Sequence, residues 1–173
     1  MIKSMIENNL RRLHMLKPAA IYKDMIESQM RKYFYTNEMF LITGCLNNWI
    51  PNIADEPDEN TFQYAIVDTK GNLIGYLGYT VDWYALKAYN FGVISFDKGN
   101  PIIGKDLYGI IETLYNRMHK IEWRMIGGNP AKRNYDHICD KFNGHKHFLT
   151  DSIRDKDGNY RDDIIYEIIN KEN

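Results

Sequence analysis

Residues whose spacing alone could carry chemistry are few, and they lie near the end of the chain. His145 and His147 lie two residues apart, with His137 and Cys139 shortly before them. Imidazole and thiolate groups are zinc ligands, but this spacing matches no site of defined geometry, so we expect no metal. As a nucleophile Cys139 would need a paired base, and the sequence places none beside it. This favours a small buried hydrophobe.

The composition predicts an ordinary globular protein. The chain has 173 residues, 44% of them apolar and 26% charged, which is enough for one domain with a real core. A formal net charge of −1 and the lack of a polybasic block favour neither nucleic acid nor an anionic membrane as a partner. Two distant cysteines, no apolar leader and no run of 18 apolar residues predict a cytoplasmic location.

The first third of the chain predicts helices. Apolar positions recur at helical spacing from residue 1 to about 34, interrupted by Pro18, which can open the second helix in its first turn. The stripe of the second helix consists of Ile21, Met25, Ile26, Met30 and Phe34. Residues 36–50 fit a strand or a helix equally well, and the acidic segment 51–60 predicts a loop.

From residue 62 onward the pattern predicts the order β-β-β-α-β-α-β-β. Short β-type runs bounded by turn residues predict strands at 62–67, 73–81, 88–96, 120–126, 147–154 and 160–169. Residues 103–119 and the segment around Tyr135 predict the two helices, and Asp157-Gly158 predicts a hairpin. We therefore expect an α/β fold (α+β in some schemes), with a mixed, mostly antiparallel sheet flanked by helices. One domain is expected over 1–173, with a helical part at 1–50 and a core at 62–169.

Several of these segments resemble the GNAT family of N-acetyltransferases. Lys120 to Arg124, followed by Asn129-Pro130-Ala131, is similar to the family's fifth strand and the asparagine turn after it. Arg154 to Glu167 is similar to the final hairpin of the ribosomal-protein N-acetyltransferase subgroup, and Val81-Asp82-Trp83 to its turn between strands three and four. The resemblance covers about 62–169. It implies a GNAT fold and an acyl-CoA-dependent N-acyltransferase.

The resemblance also implies a site for acetyl-CoA as the acyl-donor cosubstrate. Family members hold its pyrophosphate at a helix N-terminus, which matches the segment from Gly99 to Lys105. Gly104 fits the last small position of the family pattern, whereas Ile102 stands where glycine is usual. The predicted phosphate contacts are Ile102, Ile103, Gly104 and Lys105, and the alternative is a capped helix without a ligand.

In the family, the pantetheine arm lies in a notch between the fourth and fifth strands. The matching segment here runs from Val93 to Phe96, so Val93, Ile94 and Ser95 are the predicted contacts. A backbone N–H there would also stabilise the oxyanion of the reaction. Asn129 is predicted either to serve the site, by reaching the pantetheine arm or orienting the site, or to tie its own turn.

The resemblance further implies a base and an acid. The subgroup often places glutamate two residues before the glycine of strand four, and that position here is Asn90. An amide is no base at neutral pH, so Asn90 would position a water or the acceptor, and Glu122, Asp82 and Asp97 are the possible substitutes. Tyr135 is the tyrosine on the helix after the fifth strand, where the family's acid protonates the leaving thiolate. The alternative for Tyr135 is a core position.

These expectations combine into transfer of an acetyl group from acetyl-CoA to a primary amine, by direct attack through a tetrahedral intermediate. The acceptor, a protein N-terminus or a small molecule, stays open, as does the oligomeric state. The alternative function is a catalytically inactive GNAT-fold module that binds CoA or another protein. Asn90 and the departures between Gly99 and Ile102 support that alternative.

Overall fold

The computed structural model describes residues 16–34, 51–56, 58–155 and 157–172. Within these residues seven strands form one sheet, with three α-helices and a short 3-10 helix beside it. The strands are β1 (Leu16–Pro18), β2 (Thr61–Val67), β3 (Leu73–Asp82), β4 (Lys87–Ser95), β5 (Lys120–Ile126), β6 (His145–Arg154) and β7 (Tyr160–Ile169). The helices are α1 (Lys23–Phe34), α2 (Pro101–Tyr115) and α3 (Lys132–Lys141), and the 3-10 helix is Ala19–Tyr22. The order predicted from residue 62 onward is confirmed.

The sheet has the strand order β1-β2-β3-β4-β5-β7-β6. Every neighbouring pair is antiparallel except β4 and β5, which are parallel. Parallel neighbours need a crossover connection, and α2 supplies it between these two strands. The predicted mixed, mostly antiparallel sheet is therefore confirmed.

Helices cover both faces of the sheet. Successive side chains of each strand point to opposite faces, so each face has its own apolar cluster. Leu77 and Trp123 belong to the larger apolar cluster with α2 and α3. Tyr76 and Ile94 belong to a smaller cluster on the other face, where Ile26 of α1 packs against them. The larger cluster is the one next to the predicted catalytic site, because the side chains that border β4 and β5 belong to it.

The N-terminal region differs from the prediction. Leu16, expected at the end of a first helix, lies in a strand and pairs with Ile66 of β2. The second helix starts at Lys23, after the 3-10 helix. Of the stripe's side chains that the structure describes, Ile26 and Met30 are buried, whereas Ile21 is 73% and Met25 51% exposed. The rest of the first predicted helix and the ambiguous segment 36–50 lie outside the described residues.

The end of α3 is fixed by a Schellman motif. The N–H of Gly144 donates to the carbonyl of Cys139 at 2.8 Å, and the N–H of Asn143 to that of Asp140 at 3.2 Å. Asn143 takes a φ of 52° at the left-handed position. The chain can then pass directly into β6, with Gly144 packed against Cys139 and β7.

Replacing Gly144 with alanine should destabilise the fold. An added Cβ would lie 2.6 Å from the Glu167 carbonyl oxygen and 2.7 Å from Cys139 Sγ, so the β7 backbone would have to shift. We expect the free energy of unfolding to fall by about 1–3 kcal/mol in urea denaturation. Gly92→Ala is the control, because its added methyl group meets nothing within 4 Å and its φ, like that of Gly144, is not positive. An equal loss in both variants would contradict the packing explanation.

Candidate active site

The strands β4 and β5 pair at one end only and then diverge into a notch. In the described sheet the parallel register consists of Lys87 with Lys120 and Ala88 with Ile121. The remaining seven residues of β4, from 89 to 95, have no register partner on β5. A gap at this point of a parallel pair leaves strand backbone available to a bound molecule.

A β-bulge in β4 accompanies the divergence. The register with β3 shifts between the pair Gly78–Gly92 and the pair Thr80–Tyr89. Asn90 lies inside this irregularity, is exposed, and has a φ of 52°. Asparagine adopts this left-handed conformation more readily than most residues. The predicted site residue Asn90 thus helps to bend β4 away from β5.

The backbone of β4 beyond the bulge alternates between its two neighbours. The N–H of Phe96 donates to the carbonyl of Ile74 on β3 at 2.8 Å. Polar backbone groups change side at each residue of an antiparallel strand, so Ile94 also directs its groups towards β3, and Val93 and Ser95 direct theirs towards the notch. Two of the three predicted pantetheine contacts, Val93 and Ser95, therefore present backbone to the notch, whereas Ile94 has its side chain in the cluster of α1.

A mainly apolar cavity lies between the two strands, α2 and α3. It measures about 230 Å³ with its open mouth included. It is lined by Phe91, Val93, Leu107, Ile111, Trp123, Tyr135 and Ile138. The structure thus brings the predicted residues Val93 and Tyr135 together, from different elements and 42 positions apart in the chain.

Tyr135 is the hydroxyl-bearing side chain of this cavity. It lies on α3, with its ring centroid 6.1 Å from that of Trp123 and 6.0 Å from that of Tyr166. Burial raises the pKa of the Tyr135 hydroxyl to about 12. The group therefore carries its proton at neutral pH, as tyrosine ordinarily does, and is a proton donor inside the cavity.

Tyr166 is the neighbouring tyrosine, but its hydroxyl has a structural partner. It donates a hydrogen bond to Asp136 Oδ1 at 2.9 Å. Burial and the adjacent Asp136 carboxylate both raise the pKa of Tyr166. Lys132 and Lys146 hold Asp136 in turn, at 2.6 and 3.6 Å. Tyr166 is thus committed to this ion network, and Tyr135 is the better candidate for the acid.

The N-terminus of α2 is capped by its own sequence. Pro101 is the first helical residue and has no N–H, and the N–H of Ile102 donates to Asn100 Oδ1 at 3.0 Å. Gly104 and Lys105 lie far enough into the helix for their N–H groups to donate to the carbonyl groups four residues earlier. The helix itself therefore uses these two N–H groups. Ile103, buried on the sheet, is the remaining predicted contact with a backbone N–H in the first turn.

Gly104 and Lys105 make this end of α2 open and positive. A Cβ at Gly104 would have Asn134 Nδ2, 3.9 Å away on α3, as its nearest contact. Lys105 is exposed beside it. The positive end of a helix dipole, a bare glycine and an exposed ammonium group together suit a phosphate.

Asn129 takes part in the turn between β5 and α3. Its Oδ1 accepts a hydrogen bond from the N–H of Ala131 at 2.8 Å. Its carbonyl oxygen thus ties its own turn, as the second of its two predicted roles requires.

Glu122 lies on the face of the sheet opposite to Trp123, because the two are consecutive on β5. Lys120 and Lys87 contact its carboxylate at 3.0 and 3.3 Å. Partial burial raises the pKa of Glu122, but the hydrogen bond from Lys120 and the charges of both lysines lower it below its usual value overall. The structure therefore places Glu122 apart from Tyr135 and makes it a weak base.

Trp123 is a cavity residue that the sequence interpretation did not single out as functional. It alternates with Ile121 and Met125 along β5, so the period-2 pattern alone shows that it faces the core. Its indole stacks on Tyr166 at 5.2 Å with an interplanar angle of 3°. That it borders a cavity rather than filling the core follows only from the divergence of β4 and β5.

In the described part of the chain, no cluster of three or more His, Cys, Asp or Glu side chains has the arrangement of a metal site. His147 Nε2 contacts Glu167 Oε1 at 3.0 Å, and Cys139 is buried with its Sγ 3.5 Å from the His145 carbonyl. Burial raises the pKa of the Cys139 thiol to about 11, which disfavours a nucleophile. None of the described helices combines the length and apolar character that a bilayer crossing requires.

Comparison with solved structures identifies the fold. The spermidine/spermine N-acetyltransferase SpeG from Vibrio cholerae, solved in mutant forms, matches with a TM-score of 0.56 and 15% identity over 84% of this chain and 91% of that one. The spermidine N-acetyltransferase of the same organism, in complex with CoA and spermine, matches with a TM-score of 0.55 and 12% identity over 82% and 90%.

A chimera of the Vibrio cholerae enzyme and hSSAT matches with a TM-score of 0.51 and 19% identity over 65% of this chain and 69% of that one. No family model and no curated protein matches the sequence. The chain therefore has the fold of the GNAT acetyltransferases, as predicted.

Proposed function

We propose that the chain is an acyl-CoA-dependent N-acyltransferase that transfers an acetyl group from acetyl-CoA to a primary amine. The observation that carries this proposal is the notch. The parallel strands β4 and β5 separate after two residue pairs, and a tyrosine with a protonated hydroxyl lines the gap. The fold shared with proteins named as acetyltransferases supports the same interpretation.

The residues fit acetyl-CoA at three levels. At the mouth, the Ile103 N–H, the helix dipole and Lys105 would bind phosphate, with Gly104 allowing close approach. Along β4, the backbone of Val93 and Ser95 would bind the pantetheine arm. At the narrow end, the apolar cavity would receive the acetyl group beside Tyr135.

The chemistry then needs one proton donor. A neutral amine attacks the thioester carbonyl carbon, a C–N bond forms, and the carbonyl oxygen gains negative charge near the β4 backbone. When the C–S bond breaks, the thiolate takes the hydroxyl proton of Tyr135. The proton released by the amine restores the tyrosine through water. Tyr135 is protonated until that moment, because its pKa lies far above neutral pH.

The base is the weaker part of this mechanism. Asn90 cannot accept a proton at neutral pH, and Glu122 is held by two lysines on the other face of the sheet. We propose that Asn90, exposed in the bulge, orients the acceptor or a water molecule, and that the amine enters already deprotonated. The lack of a base at Asn90 and Glu122 also favours the second candidate function, a GNAT-fold protein that binds CoA without turnover.

We propose two classes of amine acceptor. The similarity of the final hairpin to the ribosomal-protein subgroup favours a protein N-terminal amine. The solved neighbour bound to CoA and spermine makes small polyamines a second class to test. We also propose a cytoplasmic location, where acetyl-CoA and both classes of acceptor occur together.

Binding and turnover should be measured separately. Calorimetry with CoA and acetyl-CoA tests the donor site. Thermal unfolding is the independent check, since a ligand at 100 times its Kd adds about 2.7 kcal/mol to the free energy of unfolding. Thiol release in the presence of spermine and of peptides with free N-termini tests transfer. Binding with transfer supports the enzyme, and binding without transfer supports the inactive module. No binding at millimolar CoA would contradict both.

Gly104→Ala should separate the donor site from the fold. Alanine in a helix is favoured over glycine by up to about 1 kcal/mol, and the new methyl group meets nothing closer than 3.9 Å. The melting temperature should therefore stay or rise, whereas CoA affinity should fall about tenfold because the methyl group blocks the approach of phosphate. Lys105→Ala should weaken CoA binding without this gain in stability, and Lys171→Ala is the matched surface control. Unchanged affinity in both variants would place the phosphate elsewhere.

A further inference from the structure

Trp123 carries a buried donor that has no partner among the described residues. Its side chain is 5% exposed, and the indole Nε1 makes no hydrogen bond to any residue that the structure describes. Trp83 shows the usual arrangement, because its Nε1 donates to the Glu59 carbonyl at 3.0 Å. A buried N–H without an acceptor is costly and calls for an explanation, and a catalytic role is one such explanation.

The position of Trp123 indicates where that acceptor would come from. The residue lies on β5 two positions after Ile121, the last residue paired with β4, so it stands at the narrow end of the notch. One face of its ring is covered by Tyr166, and the indole lines the cavity beside Phe91 and Tyr135. A ligand that enters the notch would therefore meet this ring.

We propose that the Trp123 indole N–H is a second hydrogen-bond donor to the thioester carbonyl oxygen of the acyl donor. The inference rests on the proposed function and adds a residue to it. The acetyl end of the donor carries one oxygen, and apolar side chains form most of the cavity that would receive it. Tyr135, the other polar side chain of the lining, is used as the acid at sulfur.

The role of Trp123 in the reaction is electrostatic. When the amine adds to the carbonyl carbon, the π bond of the carbonyl breaks and its electron pair moves to oxygen. The indole N–H and a β4 backbone N–H then face an oxyanion instead of a neutral oxygen. The indole keeps its proton throughout, and its hydrogen bond weakens again when the C–S bond breaks and the amide carbonyl forms.

The test removes the N–H and keeps the ring. Trp123→Phe is the simple variant. A second variant carries β-(3-benzothienyl)alanine at position 123 only, and this residue keeps the shape of the indole with sulfur in place of the N–H. Trp83→Phe is the matched control, since it loses a satisfied indole hydrogen bond outside the cavity. Affinity for CoA, which has no thioester, is measured first. The infrared carbonyl band of bound acetyl-CoA labelled with ¹³C at the thioester carbon follows, and then kcat.

We expect the benzothienyl protein to bind CoA as well as the original chain does. Its thioester band should move to higher wavenumber, and its kcat should fall about 100-fold. An unshifted band with CoA still bound would overturn the role of Trp123 while leaving the proposed function intact. Weakened CoA binding with the band in place would reassign the N–H to the pantetheine arm. An original chain that binds neither CoA nor acetyl-CoA would overturn both proposals.

Discussion

Replacing Tyr135 with phenylalanine should lower kcat by about 10²- to 10⁴-fold, the range for loss of a positioned general acid. Tyr135 lines the cavity and its hydroxyl is protonated at neutral pH, so a proton is available for the leaving thiolate. The affinity for CoA should stay within about twofold, because the ring and its contacts with Trp123 and Tyr166 remain. Steady-state kinetics with acetyl-CoA and calorimetry with CoA check the two parts.

Tyr166→Phe is the matched control for this prediction. It removes a hydroxyl from the adjacent ring, but that hydroxyl serves Asp136 on α3. We expect a loss of stability of about 1–3 kcal/mol, the cost of a hydrogen bond to a charged group, with a much smaller change in kcat. If Tyr166→Phe abolished turnover and Tyr135→Phe did not, the acid would be Tyr166. A more reactive leaving group, such as an aryl thioester, should restore the rate of Tyr135→Phe, because a weakly basic thiolate needs no acid.

The strands from β2 onward could be predicted because local signals determine their limits. Runs of β-branched and aromatic residues end at turn sequences such as Asp157-Gly158, and this hairpin forms with β7 over the predicted residues 160–169. Leu16 was misplaced because helical spacing is also local. Its pairing with Ile66 on β2, fifty positions away, overrides that preference.

The cavity could be predicted only through the family resemblance. The run from 88 to 96 has the pattern of a strand paired on both sides, and nothing in it shows that pairing with β5 stops at Ala88. The bulge at Asn90 and the unpartnered indole of Trp123 depend on which strands meet, so they follow from topology. The capped start of α2 could be predicted locally, since asparagine before Pro101 is a frequent N-cap pattern.

Asp106→Asn should raise the free energy of unfolding at neutral pH. The gain should be about 3 kcal/mol larger there than the effect of the same substitution in acid. Asp106 is buried in α2 at 3% exposure, and its Oδ2 has no hydrogen bond within the described residues. Burial raises the pKa of Asp106 from 3.8 to about 6, although the charge of Lys105 lowers it in part. Between these values the folded chain binds more protons than the unfolded chain, so this carboxyl makes the free energy of unfolding fall as the pH rises. At about 1.4 kcal/mol for each pH unit between 3.8 and about 6, the whole effect is about 3 kcal/mol.

Urea unfolding of both proteins between about pH 4 and pH 7.5 tests this sign. Asparagine keeps the size of the side chain but cannot ionise, so any constant cost of its amide cancels in the comparison across pH. The variant should gain on the original chain as the pH rises through about 6, and the gain should level off above it. A difference in stability that is flat across this range would show that the Asp106 carboxylate is solvated or paired in the folded chain.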